Sequence, residues 1–246
     1  MTRSPAGKIK RIAMWSGPRN ISTAMMYSFA HRPDCAVWDE PFYAFYLQNA
    51  GITQPLNDEI IADGEPDWDK VVELCTSADP GKPVYYQKHM THHMLTGYDR
   101  SWMRQLDNAF LIRSPERVLA SYSKKRDEVE LRDIGFVEQA EIYDRVCDWL
   151  GMAPPVVDTD DILIDPGTTL RSLCDALEIP FDSAMLSWSK GPKSYDGVWA
   201  KHWYNAVWQS EGFRQPPSED VQLEPAHQRI ADQARPYYDR LKAHKL

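Results

Sequence analysis

The apolar positions of the chain fall into short runs that alternate with segments of helical spacing. Five of these runs have the length of β-strands, and they lie at residues 10–15, 36–38, 83–88, 108–113 and 155–159. The spacing between them predicts helices at residues 23–30, 67–75, 136–150 and 168–177, and one that begins at Ser114. This alternation predicts an α/β fold of three layers, in which helices flank a five-stranded, mainly parallel sheet.

Three further segments belong to the single domain that we expect over residues 1–246. Residues 42–82 mix aromatic, acidic and turn-forming residues, and residues 187–216 are rich in tryptophan. Both are predicted to form loops, short helices or a lid beside a binding site. Residues 225–245 are predicted as a C-terminal helical tail that Pro236 interrupts, because proline removes a helical hydrogen bond.

Composition and charge exclude several classes of partner. The formal net charge is −8, which disfavours a broad surface for nucleic acid. The sequence has no apolar run near the roughly 18 residues of a membrane-spanning helix, so no membrane partner is expected. Four cysteines are scattered without a CxxC pair, which is typical of reduced thiols. We therefore expect a cytoplasmic protein.

The first predicted strand is followed by the tight loop Ser16–Thr23 and then by a helix. In this geometry backbone N–H groups converge and the helix dipole adds about half a positive charge, which favours an anion. Arg19 adds a full charge that suits phosphate or sulfate oxygens. Because ligands of parallel sheets lie beyond the carboxyl ends of the strands, we expect Glu40, Lys88 and Arg113 beside this loop.

The loop lacks the lysine that the phosphate loops of nucleotide hydrolases carry. Gly17 is followed by Ile21, Ser22 and Thr23, where those enzymes have Gly-Lys-[Ser/Thr]. The sequence therefore argues against Mg-dependent nucleotide hydrolysis, while it keeps the features of an anion site.

Two segments resemble signatures of the sulfotransferases that use 3′-phosphoadenosine 5′-phosphosulfate (PAPS). Pro18–Thr23 resembles the loop that cradles the 5′-phosphosulfate in that family, with Arg19 at the basic position. Leu111–Ser121 resembles the second signature, in which a strand ends in an arginine and a serine follows eight residues later. In the family both residues hold the 3′-phosphate, so the resemblance implies this role for Arg113 and Ser121, within a P-loop nucleotide-binding architecture.

Weaker similarities extend over about residues 10–215. Gly197–Trp203 resembles the family's loop that closes over the nucleotide, which implies a contact from Lys201. Arg126 is a further candidate for the 3′-phosphate, although the basic run around it is typical of a solvated helix face. The resemblance implies nucleotide contacts from Gly17, Pro18, Arg19, Asn20, Ile21, Ser22, Thr23, Arg113, Ser121 and Lys201.

The loop departs from the family pattern at three positions. Ile21 stands where glycine is usual, so a positive φ angle there would be strained. Asn20 replaces a serine, and Ala24 replaces the tryptophan that many cytosolic members stack on adenine. These differences concern the pose of the nucleotide rather than the presence of the site.

The resemblance implies two alternatives for the general base. Glu40 follows Arg19 by 21 residues, the spacing of the glutamate in the tyrosylprotein branch, and Lys88 matches the lysine of that branch. His89 lies one residue short of the position of the histidine in the cytosolic branch. We favour Glu40, for which the non-catalytic alternatives are a helix-start acid and a salt bridge to Arg19.

The implied reaction is transfer of a sulfuryl group from PAPS to a hydroxyl or amine of a small-molecule acceptor. Residues 42–82 and 187–216 would then form acceptor-side loops or a lid. On a helix, His89, His92 and His93 would share one face and could bind a transition metal, but no fourth ligand is evident and no metal is expected. Two other classes stay open: a small-molecule kinase that uses ATP, and a nucleotide-binding module without catalysis.

Overall fold

A computed structural model describes residues 9–123, 129–215 and 221–246 of the chain. The strands are β1 Lys10–Ser16, β2 Cys35–Asp39, β3 Val84–Met90, β4 Asp107–Ile112 and β5 Val156–Asp158. The helices of the first half are α1 Ser22–Ala30, α2 Tyr43–Asn49, α3 Asn57–Asp63, α4 Trp68–Ser77 and α5 Pro115–Tyr122. Those of the second half are α6 Phe136–Leu150, α7 Thr159–Ile164, α8 Pro166–Ala176, α9 Ala200–Trp203, α10 Asn205–Trp208 and α11 Pro225–Lys242. Single 3₁₀ turns occupy Thr91–His93, Ser101–Gln105, Leu131–Ile134 and Ser183–Leu186.

The five strands form one parallel sheet in the order β2-β3-β1-β4-β5. β1 lies at the centre, where Met14 pairs with Lys88 on one side and with Ala109 on the other. Since both neighbours run in the same direction, the carboxyl ends of β1, β2, β3 and β4 lie at one edge. The predicted α/β class and the parallel sheet are confirmed.

Two apolar cores cover the two faces of this sheet. Along β1, Ile12 and Met14 belong to one core, and Ala13 and Trp15 belong to the other, because successive side chains of a strand point to opposite faces. Helices α1 and α8 pack on the first face, and α6 and α11 pack on the second. The three predicted layers are therefore present.

Most predicted elements lie within a few residues of their expected places, and α6 has the predicted bounds. The predicted interruption at Pro236 is wrong, because α11 runs through this residue. Its buried side chains Ala231, Ala234, Tyr238 and Leu241 lie on both sides of the proline and pack into one core. This packing outweighs the roughly 3 kcal/mol that a proline costs inside a helix. None of the described helices, α11 included, has the length and apolar character needed to cross a bilayer.

The loop that follows β1 is fixed from three sides. The Asn20 side chain donates to the carbonyl oxygen of Leu111 at 3.2 Å, and the Thr159 hydroxyl donates to the carbonyl oxygen of Asn20 at 3.2 Å. Gly17 lies against the turn Leu131–Ile134, where a Cβ on Gly17 would stand 2.7 Å from the Ile134 carbonyl oxygen. Glycine is therefore required at position 17 by close backbone approach.

Replacement of Gly17 by alanine tests this close approach. We expect Gly17→Ala to lower the free energy of unfolding by about 1–3 kcal/mol, since a backbone atom must move to admit the methyl group. Gly167 in α8 is the matched control, because a Cβ there meets only Asp165 Oδ1 at 3.6 Å. Gly167→Ala should raise stability by about 0.5–1 kcal/mol through helix propensity. Urea unfolding measures both; equal effects would contradict the packing role of Gly17.

Candidate active site

The loop between β1 and α1 holds two non-glycine residues in the left-handed region. Arg19 has φ 64° and Ile21 has φ 55°. Such conformations cost of order 1–3 kcal/mol each and persist where the surroundings impose them, often at functional sites. The strain expected for a positive φ at Ile21 is thus present. Ile21 also occupies the N-cap position of α1 and provides no side-chain cap, so the first N–H groups of this helix have no side-chain partner there.

Two arginines carry positive charge at this loop, Arg19 within it and Arg113 beside it. Arg19 Nε donates to Ser121 Oγ at 2.9 Å, and one terminal nitrogen of Arg113 donates to the Arg19 carbonyl oxygen at 2.8 Å. Within the described residues, the buried Nε of Arg113 has no hydrogen-bond partner. Burial lowers the pKa of both guanidinium groups, although arginine stays charged in proteins. Two cations and an orphaned donor at a helix N-terminus form a site suited to an anion.

A buried ion cluster lies at the carboxyl ends of β2 and β3. Lys88 Nζ donates to Asp39 Oδ1 at 2.8 Å, to Glu40 Oε1 at 2.6 Å and to the Tyr204 hydroxyl at 2.7 Å. The side chains of Lys88 and Asp39 are buried, and Glu40 keeps 11% exposure. Glu40 adopts φ 45°, a third left-handed non-glycine residue at this edge of the sheet.

The cluster changes the pKa of both Glu40 and Lys88. Burial raises the pKa of Glu40, and the Lys88 charge only partly offsets this effect. Burial alone would lower the pKa of Lys88, but the charges and hydrogen bonds of Asp39 and Glu40 reverse the direction and raise it. Lys88 therefore remains an ammonium group, while the carboxylate of Glu40 binds a proton more readily than an exposed one.

Aromatic side chains form the wall next to Glu40. His93 Nε2 lies 3.8 Å from Glu40 Oε2, and the His93 ring stacks on Tyr43 and Tyr46 with centroid distances of 4.8 and 4.7 Å. Tyr43 in turn meets Trp199 edge-on at 5.1 Å. Burial lowers the pKa of His93 well below its ordinary value, so this ring is neutral at pH 7. The wall is aromatic and carries no formal charge.

Nearly all the predicted site residues line one cavity of about 430 Å³. The cavity lies at the carboxyl edge of the sheet, where the sequence analysis predicted a binding site. The predicted residues that line it are Pro18, Arg19, Asn20, Ile21, Ser22, Thr23, Glu40, Lys88, Arg113 and Ser121. Gly17 immediately precedes this set and supports the loop from behind. Glu40 contacts Lys88 and His93, so the salt bridge to Arg19 that was the non-catalytic alternative for Glu40 is not formed.

The structure does not bring His89 to the cavity. Successive residues of β3 point to opposite faces, so His89 enters the core when Lys88 faces the site. Its ring stacks on Trp15 at a centroid distance of 4.5 Å, and its Nε2 lies 3.1 Å from Gln87 Oε1. Burial lowers the pKa of His89 to about 3. This placement argues against His89 as the general base.

The structure does not bring three other predictions together in the cavity: the contact from Lys201, the histidine metal site and the contact from Arg126. Lys201 projects from α9 and pairs with Glu59 at 2.6 Å, with 57% of its side chain exposed. His92 and His93 are neighbours, but His89 lies in the core. No three potential metal-binding side chains converge in the part of the chain that the structure describes. Arg126 falls outside the described residues.

Two residues of the ion cluster were missed by the sequence. Asp39 is adjacent to Glu40 at the end of β2, and the signal available was an acid at the end of a strand. Tyr204 lies 116 positions after Lys88, in a segment without regular periodicity, so no sequence signal pointed to it. Its hydroxyl bonds both to Lys88 and to Asp39 Oδ2 at 2.7 Å.

The central strand, the tight loop after it and the adjacent cations define an α/β protein with a candidate anion site at the carboxyl edge of its sheet. A family model described as "Sulfotransferase domain" matches residues 10–245. The chain therefore belongs to the sulfotransferase domain family, as the two sequence signatures implied.

Solved structures support the fold. The sulfotransferase from Alicyclobacillus acidocaldarius is 14% identical, with a TM-score of 0.55 and coverage of 98% of each chain. The sulfotransferase domain from the curacin biosynthetic pathway is 16% identical, with a TM-score of 0.52 and coverage of 92% of this chain and 98% of that one. At these identities the likeness concerns the fold alone.

Two curated relatives from Arabidopsis thaliana are more similar in sequence. "Branched-chain-amino-acid aminotransferase-like protein 2" is 38% identical over 234 residues, which are 95% of this chain and 41% of that protein. "Branched-chain-amino-acid aminotransferase-like protein 1" is 39% identical over 233 residues, 95% of this chain and 42% of that protein. The chain thus spans about two fifths of the length of these relatives, whose names describe the longer proteins.

Removal of the Lys88 charge tests the ion cluster. We expect Lys88→Met to lower the free energy of unfolding by about 3–5 kcal/mol, because two carboxylates would remain buried without their cation. Lys201→Met is the matched control, since its exposed pair with Glu59 is worth at most about 1 kcal/mol. Urea unfolding at pH 7 measures both variants; a loss at Lys88 no larger than that at Lys201 would contradict the cluster.

Proposed function

We propose that the protein is a sulfotransferase that moves a sulfuryl group from PAPS to a hydroxyl or amine of a small-molecule acceptor. The observation that carries the proposal is the arrangement across one cavity of two kinds of group. Arg19 and Arg113 lie with the uncapped end of α1 at one side, and Lys88 lies with Glu40 at the other. The first group suits the charges of the donor, and the second suits proton removal from an acceptor.

The donor end fits a nucleotide with two anionic groups. Arg113 has a buried Nε without a partner among the described residues, and Ser121, which bonds to Arg19, lines the same cavity. These residues would hold the 3′-phosphate, in keeping with the family signature. The loop Pro18–Thr23 and the first turn of α1 would hold the 5′-phosphosulfate through backbone N–H groups. We infer a P-loop type of binding in which no metal is required.

PAPS, when bound, supplies an activated sulfuryl group and a phosphate leaving group. Arg19 and Lys88 would stabilise the negative charge that develops between the acceptor and the 5′-phosphate. Glu40 would accept the proton of the attacking hydroxyl or amine, and its raised pKa makes it a stronger base than an exposed carboxylate. Because Oε1 of Glu40 is bonded to Lys88, Oε2 is the oxygen that would take the proton.

The acceptor end supports a small, uncharged and at least partly apolar acceptor. Beyond Glu40, the wall consists of Tyr43, Tyr46 and the neutral ring of His93, together with Trp199. Flat apolar side chains favour stacking with a flat or aliphatic molecule. Residues 42–82 and 187–216 contribute Tyr43, Tyr46 and Trp199 to this wall, which is consistent with the acceptor-side role expected for them.

Nucleotide choice is the direct test of the donor. We expect adenosine 3′,5′-bisphosphate to bind at least tenfold more tightly than AMP or ATP, measured by calorimetry. A charge-assisted contact from Arg113 to the 3′-phosphate is worth roughly 1.5–3 kcal/mol, enough for that factor. Arg113→Ala should remove the preference and leave AMP binding nearly unchanged.

Arg117 serves as the matched control for Arg113. It lies on α5, where its Nε pairs with Asp160 at 3.2 Å. Arg117→Ala should keep the preference for the bisphosphate. Equal affinities of the unmodified protein for AMP and the bisphosphate would contradict PAPS as donor, and robust Mg-dependent hydrolysis of ATP would favour the kinase alternative.

The identity of the base is tested by Glu40→Gln, which keeps the size of the side chain and removes the basic oxygen. We expect sulfuryl transfer to fall by about 10²- to 10⁴-fold, the usual contribution of a general base. Bisphosphate affinity should change little, because the loop and both arginines remain. His89→Asn is the comparison and should cost much less activity. The reverse ranking would assign the base to His89.

A further inference from the structure

The hydroxyl of Tyr204 occupies the third hydrogen-bond position of Lys88. Among the described residues, the Lys88 ammonium group donates to Asp39, to Glu40 and to this hydroxyl. An ammonium group has three N–H donors. All three are therefore engaged within this part of the chain. Lys88 can contact an anion held on the loop only if it exchanges one of these partners.

The bond to Tyr204 is the one that an anion replaces at the lowest cost. The other two partners are carboxylates, whose full negative charges attract the ammonium group more strongly than the dipole of a neutral hydroxyl does. Asp39 is also held by the backbone N–H of Gly197 at 3.3 Å. Burial raises the pKa of Tyr204 well above its ordinary value, so its hydroxyl is neutral.

Tyr204 stays fully bonded when Lys88 leaves it. Its hydroxyl donates to Asp39 Oδ2 at 2.7 Å and accepts the indole N–H of Trp199 at 3.1 Å. A phenolic hydroxyl is both a donor and an acceptor, so with these two bonds both of its capacities remain in use. Withdrawal of Lys88 therefore leaves no unpaired group on Tyr204.

We propose that Tyr204 is a positioning residue, which holds the third N–H of Lys88 toward the loop until an anion bound there takes its place. The proposal rests on the proposed function, because the anion is the 5′-phosphate end of the donor. Tyr204 and Lys88 line the same cavity as Thr23 of the loop, so a ligand held on the loop shares this cavity with the ammonium group. The exchange keeps the bonds from Lys88 to Asp39 and Glu40 and moves no proton between residues.

The test compares two nucleotides that differ only at the loop. Adenosine 3′,5′-bisphosphate places a phosphate there, and adenosine 3′-monophosphate does not. In Tyr204→Phe the ring that packs over Lys88 at 5.0 Å is kept, and the hydroxyl that competes with the anion is lost. We expect this variant to bind the bisphosphate about 3- to 10-fold more tightly and the monophosphate with unchanged affinity, as measured by calorimetry.

Tyr238→Phe is the matched control. Tyr238 is buried, and its hydroxyl donates to Asp158 Oδ2 at 2.6 Å, remote from Lys88. Tyr238→Phe also removes a buried hydroxyl, so it should lose some thermal stability. It should nevertheless bind both nucleotides with the affinities of the unmodified protein. An unchanged or weaker affinity of Tyr204→Phe for the bisphosphate, or an equal change for both nucleotides, would overturn the proposal. Failure of the unmodified protein to bind the bisphosphate would instead contradict the proposed function.

A measurement on the unmodified protein keeps the test independent of any variant. The ammonium protons of Lys88 are buried and should exchange slowly enough with water for nitrogen-detected NMR. Addition of the bisphosphate should shift this resonance, because one N–H changes its acceptor. The monophosphate should leave it in place. A Lys88 resonance that does not respond to the bisphosphate would show that Tyr204 is not exchanged.

Discussion

The buried ammonium group of Lys88 is the interaction on which the rest of the site depends. Transfer of such a charge from water costs several kcal/mol, which only close carboxylates and further hydrogen bonds can offset. Lys88 satisfies this condition with Asp39 and Glu40 at the end of β2 and with Tyr204 between α9 and α10. One charge from β3 therefore fixes the position of two other segments. The bond from Lys88 to Oε1 also fixes the orientation of the Glu40 carboxylate, and Oε2 is left without a bond to Lys88.

The charges of the cavity are distributed unevenly, and this has a chemical consequence. When ionised, Asp39, Glu40 and Lys88 sum to one negative charge, whereas Arg19 and Arg113 contribute two positive charges beside the N-terminus of α1. A polyanionic ligand is drawn to the loop side of the cavity and is repelled from the carboxylates. The proposed proton acceptor, Glu40, thus lies opposite the candidate anion site, which is the arrangement that the proposed transfer between two bound molecules would require.

The parts of the fold that depend on local pattern could be predicted from the sequence. The five strands, the helix α6 and the gathering of Arg19, Glu40, Lys88 and Arg113 at one edge follow from periodicity and from the parallel sheet. His89 shows the limit of such reasoning, because a shift of one residue along a strand moves a side chain to the other face. Ser121 was paired with Arg113 in the family signature, yet in the structure it bonds to Arg19. Such partners depend on tertiary packing that periodicity does not encode.

The loop shows why a departure from a family pattern need not abolish its geometry. Glycine is usual at position 21 because it adopts a positive φ without strain, and isoleucine adopts the same conformation here. Its side chain packs against the core that contains α1, and that burial offsets part of the strain. Asn20 and Thr159 tie the adjacent backbone to β4 and α7, so the surroundings impose the conformation. The shape of the loop is therefore set by its contacts, and the isoleucine is compatible with the same anion site.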